Sequence, residues 1–153
     1  MATPYITDEE FMSLTVMPRE DVYQLKVTEP SWLAAQILSF SAMIDGRLSK
    51  RYACPFVSPY PEVVRRWVVR LVTPHALMRR GVNALDQMYQ AIQDDATKAW
   101  EEVTEAANAK EGLWELPLKE TDSTNGITRS STLAYSERDP YSWTDVQVQA
   151  VRG

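Results

Sequence analysis

Apolar residues recur at helical spacing in three long stretches of the chain, and the clearest of these lies between residues 31 and 56. The positions on its apolar face are Leu33, Ile37, Phe40, Ile44 and Leu48. Because residues at this spacing share one face of a helix, the pattern predicts a buried central helix. Pro55, Pro59 and Pro61 follow closely, and they prevent the helix from continuing.

A second long helix is predicted from 61 to 80 and a third from 82 to 110. The apolar positions of the second are Val64, Trp67, Val68, Leu71 and Met78. Pro74 interrupts it and predicts a kink rather than two elements. The apolar positions of the third helix are Leu85, Met88, Tyr89, Ile92, Ala96, Trp100, Val103 and Ala107, and Gly112 is expected to end it.

The N-terminus carries the signature of a helix start. Thr7 and Glu10 have the spacing of a capping box, and Ile6 and Phe11 occupy the two positions of a hydrophobic staple. Since Pro18 disfavours helical geometry in the residue before it, this first helix is predicted to be short. A further turn is expected after Pro18.

The chain changes character at residue 119, where a stretch rich in Ser, Thr and Asp begins. Its few large apolar side chains return less free energy on burial than ordering so long a segment costs. We therefore predict a segment that docks on another protein surface, with a disordered end as the alternative. The patterns together predict an all-α fold: a small bundle of three long helices plus a short N-terminal helix (1–118), with an extended C-terminal docking tail (119–153).

The end of the central helix is predicted to be a structural hub. Its residues are Ile44, Asp45, Gly46, Arg47, Leu48, Arg51 and Tyr52. A glycine inside a helix costs about 1 kcal/mol relative to alanine, so Gly46 suggests a close approach by another backbone. Arg47 and Arg51 lie four positions apart with Asp45 near enough to organise them. A charged face toward solvent or a subunit is predicted here, and an anion site is the alternative.

The charged residues of the second and third helices differ in sign. The segment 62–80 has a balance of about +4, whereas 86–111 has a balance of about −5. These charges either neutralise one another within the chain or form complementary faces of successive subunits in a head-to-tail ring. We predict the ring, with an interface formed by Arg65, Arg66, Arg70, Glu101 and Glu102.

Composition limits the possible functions. The chain has 153 residues and a formal net charge of −5, so general attraction to nucleic acid or to an anionic membrane is not expected. No apolar run reaches 18 residues, and the first ten residues do not resemble a signal peptide. We expect a soluble protein that is made in a reducing cytoplasm and does not bind a membrane.

The candidate catalytic residues are few and scattered. Cys54 is the single cysteine and is interpreted as an inert thiol; His75 is the single histidine and is expected to satisfy a backbone group loosened by Pro74. The acids of the third helix are read as a charged solvent face rather than a metal site: Asp94, Asp95, Glu101 and Glu102. Neither an enzyme nor a cofactor is predicted.

Several short motifs nevertheless match a known family. They are the start Tyr5-Ile6-Thr7, the helix end Ile44-Asp45-Gly46-Arg47-Leu48 with Arg51-Tyr52 and Pro55-Phe56, and the late Tyr135-Ser136-Glu137-Arg138-Asp139. The chain resembles the phage head-to-tail connector proteins of the Mu-like gp36 family, which are related in fold to the gp6-like and gp15-like adaptors.

The resemblance implies a helical adaptor in the virion, at the head-to-tail junction, assembled in the host cytoplasm. It implies a homo-oligomeric ring, usually twelve-fold, beneath the portal protein and above a neck, stopper or tail-terminator protein, with packaged DNA passing through without sequence-specific binding. The residues expected to dock on the portal or a neighbouring subunit are Leu133, Tyr135, Arg138, Tyr141 and Trp143. A small helical DNA-binding regulator that uses Arg65, Arg66 and Arg70 is the alternative.

Overall fold

A computed structural model of the chain describes residues 2–108, 113 and 115–119. The helices in this part are α1 (Asp8–Leu14), α2 (Arg19–Thr28), α3 (Trp32–Leu48), α4 (Glu62–Arg79) and α5 (Gln87–Asn108). They belong to one compact unit that ends at Leu118. Within the described ranges there is no strand, only an isolated antiparallel bridge between Tyr52 and Leu118. The prediction of an all-α bundle is therefore confirmed.

The N-terminal helix begins as the sequence predicts. The Thr7 hydroxyl accepts a hydrogen bond from the Glu10 N–H, and the Glu10 carboxylate accepts one from the Thr7 N–H, which completes the capping box. Ile6 and Phe11 are both buried, as the staple requires. The segment after Pro18 is longer than predicted, because α2 runs for ten residues and buries Val22 and Leu25.

The centre of the described bundle is α4, whereas the sequence predicted α3 to be the central helix. Helix α4 contacts each of the other four helices. Its second half is buried on more than one side, since Val69, Thr73 and Leu77 are buried along with Val68 and Val72. Pro74 lies inside this single helix, so the prediction that it does not divide the element in two is confirmed.

The end of α3 contributes to the core, though not in every way that the sequence suggests. Ile44, Leu48 and Tyr52 are fully buried. The Tyr52 hydroxyl donates a hydrogen bond to the Ala106 carbonyl at 3.0 Å and accepts one from the Leu113 N–H at 2.8 Å. The prediction for Gly46 is wrong within the described part of the chain, because a Cβ built there would meet nothing within 4 Å.

Three residues predicted to be buried are exposed instead: Met78 near the end of α4, Leu85 between α4 and α5, and Met88 at the start of α5. The exposed fractions of Met78, Leu85 and Met88 are 56%, 80% and 69%. For Leu85 and Met88 the reason is that α5 begins later than its apolar pattern indicates. The Asp86 carboxylate accepts a hydrogen bond from the Met88 N–H at 3.0 Å, and Leu85 precedes the helix.

The predicted docking tail lies outside the described residues except for Lys119. This holds for each of its predicted anchors: Leu133, Tyr135, Arg138, Tyr141 and Trp143. Their role remains a prediction from the sequence.

Candidate interaction surfaces

An arginine of α4 joins that helix to α5. Arg70 makes two bonds of 2.9 Å to the carboxylate of Asp95 and one of 2.8 Å to that of Glu102. The same Glu102 oxygen accepts a hydrogen bond from the indole N–H of Trp67 at 2.8 Å. The hydrogen bonds that Arg70 makes to Asp95 raise the pKa of Arg70, and the bond to Glu102 adds to this effect. These two helices therefore neutralise part of one another's charge within the chain.

A second arginine of α4 binds the N-terminal helix. Arg65 contacts Glu10 at 2.7 Å and Glu62 at 2.9 Å. The hydrogen bond from the Thr7 backbone, more than the nearby Arg65 charge, lowers the pKa of Glu10. The capping box of α1 is thus linked through one carboxylate to α4.

The residues predicted for a ring interface fall into two groups. Arg65, Arg70 and Glu102 have ion-pair partners inside the chain, which is the alternative that the sequence left open. Arg66 has an ion-pair partner on its own helix, Glu62 at 3.3 Å, and its side chain is 71% exposed. Glu101 is also exposed. The ring itself remains a prediction, and these last two residues are its available charged groups.

The predicted hub contains a buried polar contact that the sequence did not indicate. The Tyr5 hydroxyl donates to the Asp45 carboxylate and accepts from the Phe56 N–H at 3.1 Å, while the Tyr5 N–H donates to the Ser41 hydroxyl at 3.3 Å. Burial raises the pKa of Asp45, and hydrogen bonds from Tyr5 and Cys54 oppose that shift. Burial also raises the pKa of Tyr5.

One arginine of the hub contacts an aromatic ring. The Arg47 guanidinium carbon lies 5.2 Å from the centre of the Trp100 ring, which is a cation–π distance. Arg47 therefore packs against α5, the helix that carries Trp100. Arg51 is half-buried. Asp45 itself contacts Tyr5 in the N-terminal segment. The two residues are distant in the sequence, so local spacing could not indicate this contact.

Two open grooves lie beside α3, and a third lies beyond its end. The first has a volume of about 730 Å³ and is lined by Pro4, Ile6, Lys26, Ala34 and Leu38, among others. The second, of about 310 Å³, is lined by Ala42, Gly46, Ser49 and Cys54.

The third groove, of about 460 Å³, follows the proline-rich loop and is lined by Pro55, Val57, Pro59 and Pro117. The first groove has a signal in the sequence, because residues 32–44 contain no charged side chain although several of them are exposed.

The candidate catalytic residues of the sequence lie apart in the described structure. Within them, no group of three or more His, Cys, Asp or Glu side chains is placed to hold a metal ion. His75 is exposed, with its ring centre 5.1 Å from that of Phe40. Cys54 is half-buried and bonds to Asp45. Among the described helices, none has the length and apolar character needed to cross a bilayer.

The fold and these surfaces define a small all-α protein whose candidate sites are interaction surfaces and open grooves. A family model described as Bacteriophage Mu, Gp36 matches residues 4–130. Since that match covers most of the chain, the protein belongs to this phage family, and the membership points to a structural protein associated with the virion. Neither the curated proteins nor the solved structures contain a match to the chain.

Proposed function

We propose that the protein is a head-to-tail connector, a structural adaptor that forms a ring under the portal protein and links the DNA-filled capsid to the neck and tail. The observation that carries this proposal is the family match over residues 4–130. Its function resides in interfaces, so we propose no enzymatic activity and no cofactor.

The proposed partners follow the same reasoning. They are the portal protein on one side, a neck, stopper or tail-terminator protein on the other, and further copies of the chain in a ring, twelve-fold in the resemblance. The exposed apolar side chains Met78, Leu85 and Met88 are available for contact with such partners. Packaged DNA would pass through the ring without sequence-specific contacts.

The alternative of a DNA-binding regulator is less well supported. Two of the three arginines that it needs, Arg65 and Arg70, are held by carboxylates of the same chain. A net charge of −5 further opposes binding to phosphates.

Removal of residues 121–153 tests the proposal in the phage. The expected result is capsids that fill with DNA but carry no tails, seen by electron microscopy, while the purified truncated protein keeps its helical circular dichroism. Particles with phage tails at the normal frequency would contradict the role proposed for residues 121–153. Absence of the full-length protein from the neck of labelled particles would contradict the connector function itself.

A further inference from the structure

Two cations, one in the last turn of α3 and one just beyond it, contact the surface of α5. The guanidinium carbon of Arg47 is 5.2 Å from the centre of the Trp100 ring, and the Lys50 Nζ donates a hydrogen bond to the Asn108 side chain at 3.2 Å. Arg47, Lys50 and Asn108 are exposed, and Trp100 is half-buried. Both parts of the chain thus build one surface from these four residues, and we name it the α3–α5 face.

The positive charge of the α3–α5 face is not balanced inside the described part of the chain. The arginines of α4 all pair with carboxylates: Arg65, Arg66, Arg70, Arg79 and Arg80. Neither Arg47 nor Lys50 has a carboxylate partner among the same described residues. A guanidinium that lies over an aromatic ring still has N–H groups in its own plane, and these can donate to a carboxylate. The face therefore presents two cations that an external acid can balance.

The surroundings of these cations have the composition of a protein interface. Met43, one helical turn before Arg47 on α3, is 47% exposed. Thr97 and Thr104 lie on the same side of α5 as Trp100, by helical spacing. Arginine, tryptophan and methionine are enriched where proteins contact one another, and arginine and tryptophan often carry much of the binding energy. The α3–α5 face thus offers apolar surface beside its positive charge.

The acids next to this face indicate which kind of partner it suits. Glu101 and Glu105 are exposed on α5, one position after Trp100 and Thr104. They oppose the continuous phosphates of a nucleic acid, whereas a protein segment can present a single carboxylate to the cations. A second copy would bring the same acids of α5, which lie beside this face and not on the other side of the subunit, where a head-to-tail contact needs them. These charges favour a different protein as the partner.

We infer that the α3–α5 face binds an acidic segment of a different virion protein. A carboxylate of that segment would contact Arg47 and Lys50, and an apolar side chain would pack on Met43 and Trp100. The inference deepens the proposed function and rests on it, because it names the surface and the chemistry that join the helical bundle to a neighbour in the particle.

A zero-length cross-link in assembled particles tests this inference. A water-soluble carbodiimide activates a carboxylate, the Lys50 amine attacks it, and an amide forms while the carbodiimide is released as a urea. The reaction joins only groups in direct contact, and mass spectrometry of the digested particles identifies both residues. Lys98 is the comparison within the same chain, since it is exposed on the side of α5 opposite Trp100. Lys50→Arg is the matched control variant, because it keeps the charge and removes the reactive amine.

We expect an amide between Lys50 and an aspartate or glutamate of a different virion protein, about tenfold more abundant than any such product of Lys98. Lys50→Arg should remove this amide and keep infectivity within about twofold of the wild-type value. Arg47→Glu with Lys50→Glu should reduce the number of particles with phage tails by about tenfold or more. The purified double variant should keep its helical circular dichroism, since both side chains are exposed.

Coupling of Lys50 to another copy of this chain would overturn the inference in favour of a contact between subunits. Coupling only within its own chain would overturn it in favour of a structural ion pair. A mobility shift of duplex DNA that the double variant abolishes would assign the face to phosphates. Particles with phage tails that contain the protein but show no amide at Lys50 to a different protein would refute the α3–α5 face and leave the connector function intact. Absence of the wild-type protein from the particles would refute the connector function.

Discussion

The Tyr5 hydroxyl donates a hydrogen bond to the carboxylate of Asp45. This contact joins the N-terminal segment to α3 across 40 positions of the chain. The same hydroxyl accepts from the N–H of Phe56. One phenol therefore holds together the N-terminal segment, the end of α3 and the proline-rich loop. Both residues belong to the motifs that carry the family resemblance, which gives those motifs a structural reason.

Replacement of Tyr5 by phenylalanine is expected to lower the free energy of unfolding by about 1–3 kcal/mol, because a buried carboxylate loses its donor and the Phe56 N–H loses its acceptor. Urea denaturation followed by circular dichroism measures the change. Tyr23→Phe is the matched control, since that side chain is 63% exposed, and it should leave the unfolding midpoint unchanged. Equal midpoints for both variants would show that the contact does not stabilise the fold.

The Asp45 carboxylate should also make stability depend on pH. Burial raises its pKa in the folded state above the unfolded value of about 3.9, so the folded state binds the proton more tightly. Its contribution is most favourable below the unfolded pKa and is lost as the pH rises through the folded pKa.

Asp45→Asn keeps an oxygen acceptor and removes this titration. The difference in unfolding free energy between the variant and the wild type should therefore shift in favour of the variant as the pH rises from about 4 to about 7. Denaturation series at several pH values measure that difference. A difference that stays constant with pH would mean that Asp45 titrates as it does in the unfolded chain.

Arg70 is expected to contribute more to stability than its neighbour Arg66. Arg70→Ala should cost about 1–2 kcal/mol because it breaks the bonds to Asp95 and Glu102, at a side chain only 24% exposed. Arg66→Ala should cost no more than about 0.5 kcal/mol, since its ion pair is exposed. Thermal unfolding of both variants compares them. Equal losses would remove the basis for separating structural arginines from those available to a ring.

Glu101→Lys tests the ring interface without disturbing the contacts within the chain. The side chain is exposed, so the melting temperature should remain within a few degrees of the wild-type value. Assembly at low salt, measured by light scattering, should be reduced if Glu101 meets a basic residue of the next subunit. The ring would have to use another surface if assembly were unaffected. Glu102→Lys is not a clean test, because it would also break the contacts to Trp67 and Arg70.

The two described glycines should respond in opposite ways to alanine. Gly46→Ala is expected to raise the free energy of unfolding by about 0.5–1 kcal/mol, because the position is helical and a Cβ there meets nothing. Gly81→Ala should lower it by about 1 kcal/mol, since Gly81 has a φ of 86°, in the left-handed region. Chemical denaturation measures both. A loss of stability in Gly46→Ala would mean that the space above α3 is already filled in the isolated chain.

The sequence predicts those features that depend on neighbouring residues. The capping box of Thr7 and Glu10, the buried face of α3 and the continuity of α4 through Pro74 all follow from local spacing. The exposure of Met78 and Leu85 could not be predicted in the same way. Helical spacing shows which face of a helix is apolar, but it does not show whether another helix extends far enough to cover that face.

The candidate surfaces depend still more on long-range pairing. Opposite charges on two helices are compatible with contacts inside one chain or between two chains, and only the position of α4 against α5 brings Arg70 to Asp95. The sequence did not reveal the polar contact of Asp45 for the same reason. Its partner Tyr5 lies 40 positions earlier in the chain.

The bridge between Tyr52 and Leu118 determines how a mechanical load would enter the protein. A pull on the residues after Lys119 would meet this bridge and the adjoining bond between Ala53 and Pro117 before it reached the end of α5. The strain would then spread into the deeply packed ring of Tyr52 instead of unravelling the last helix. Under the proposed connector function, such an anchorage would help the protein withstand the internal pressure of a filled container.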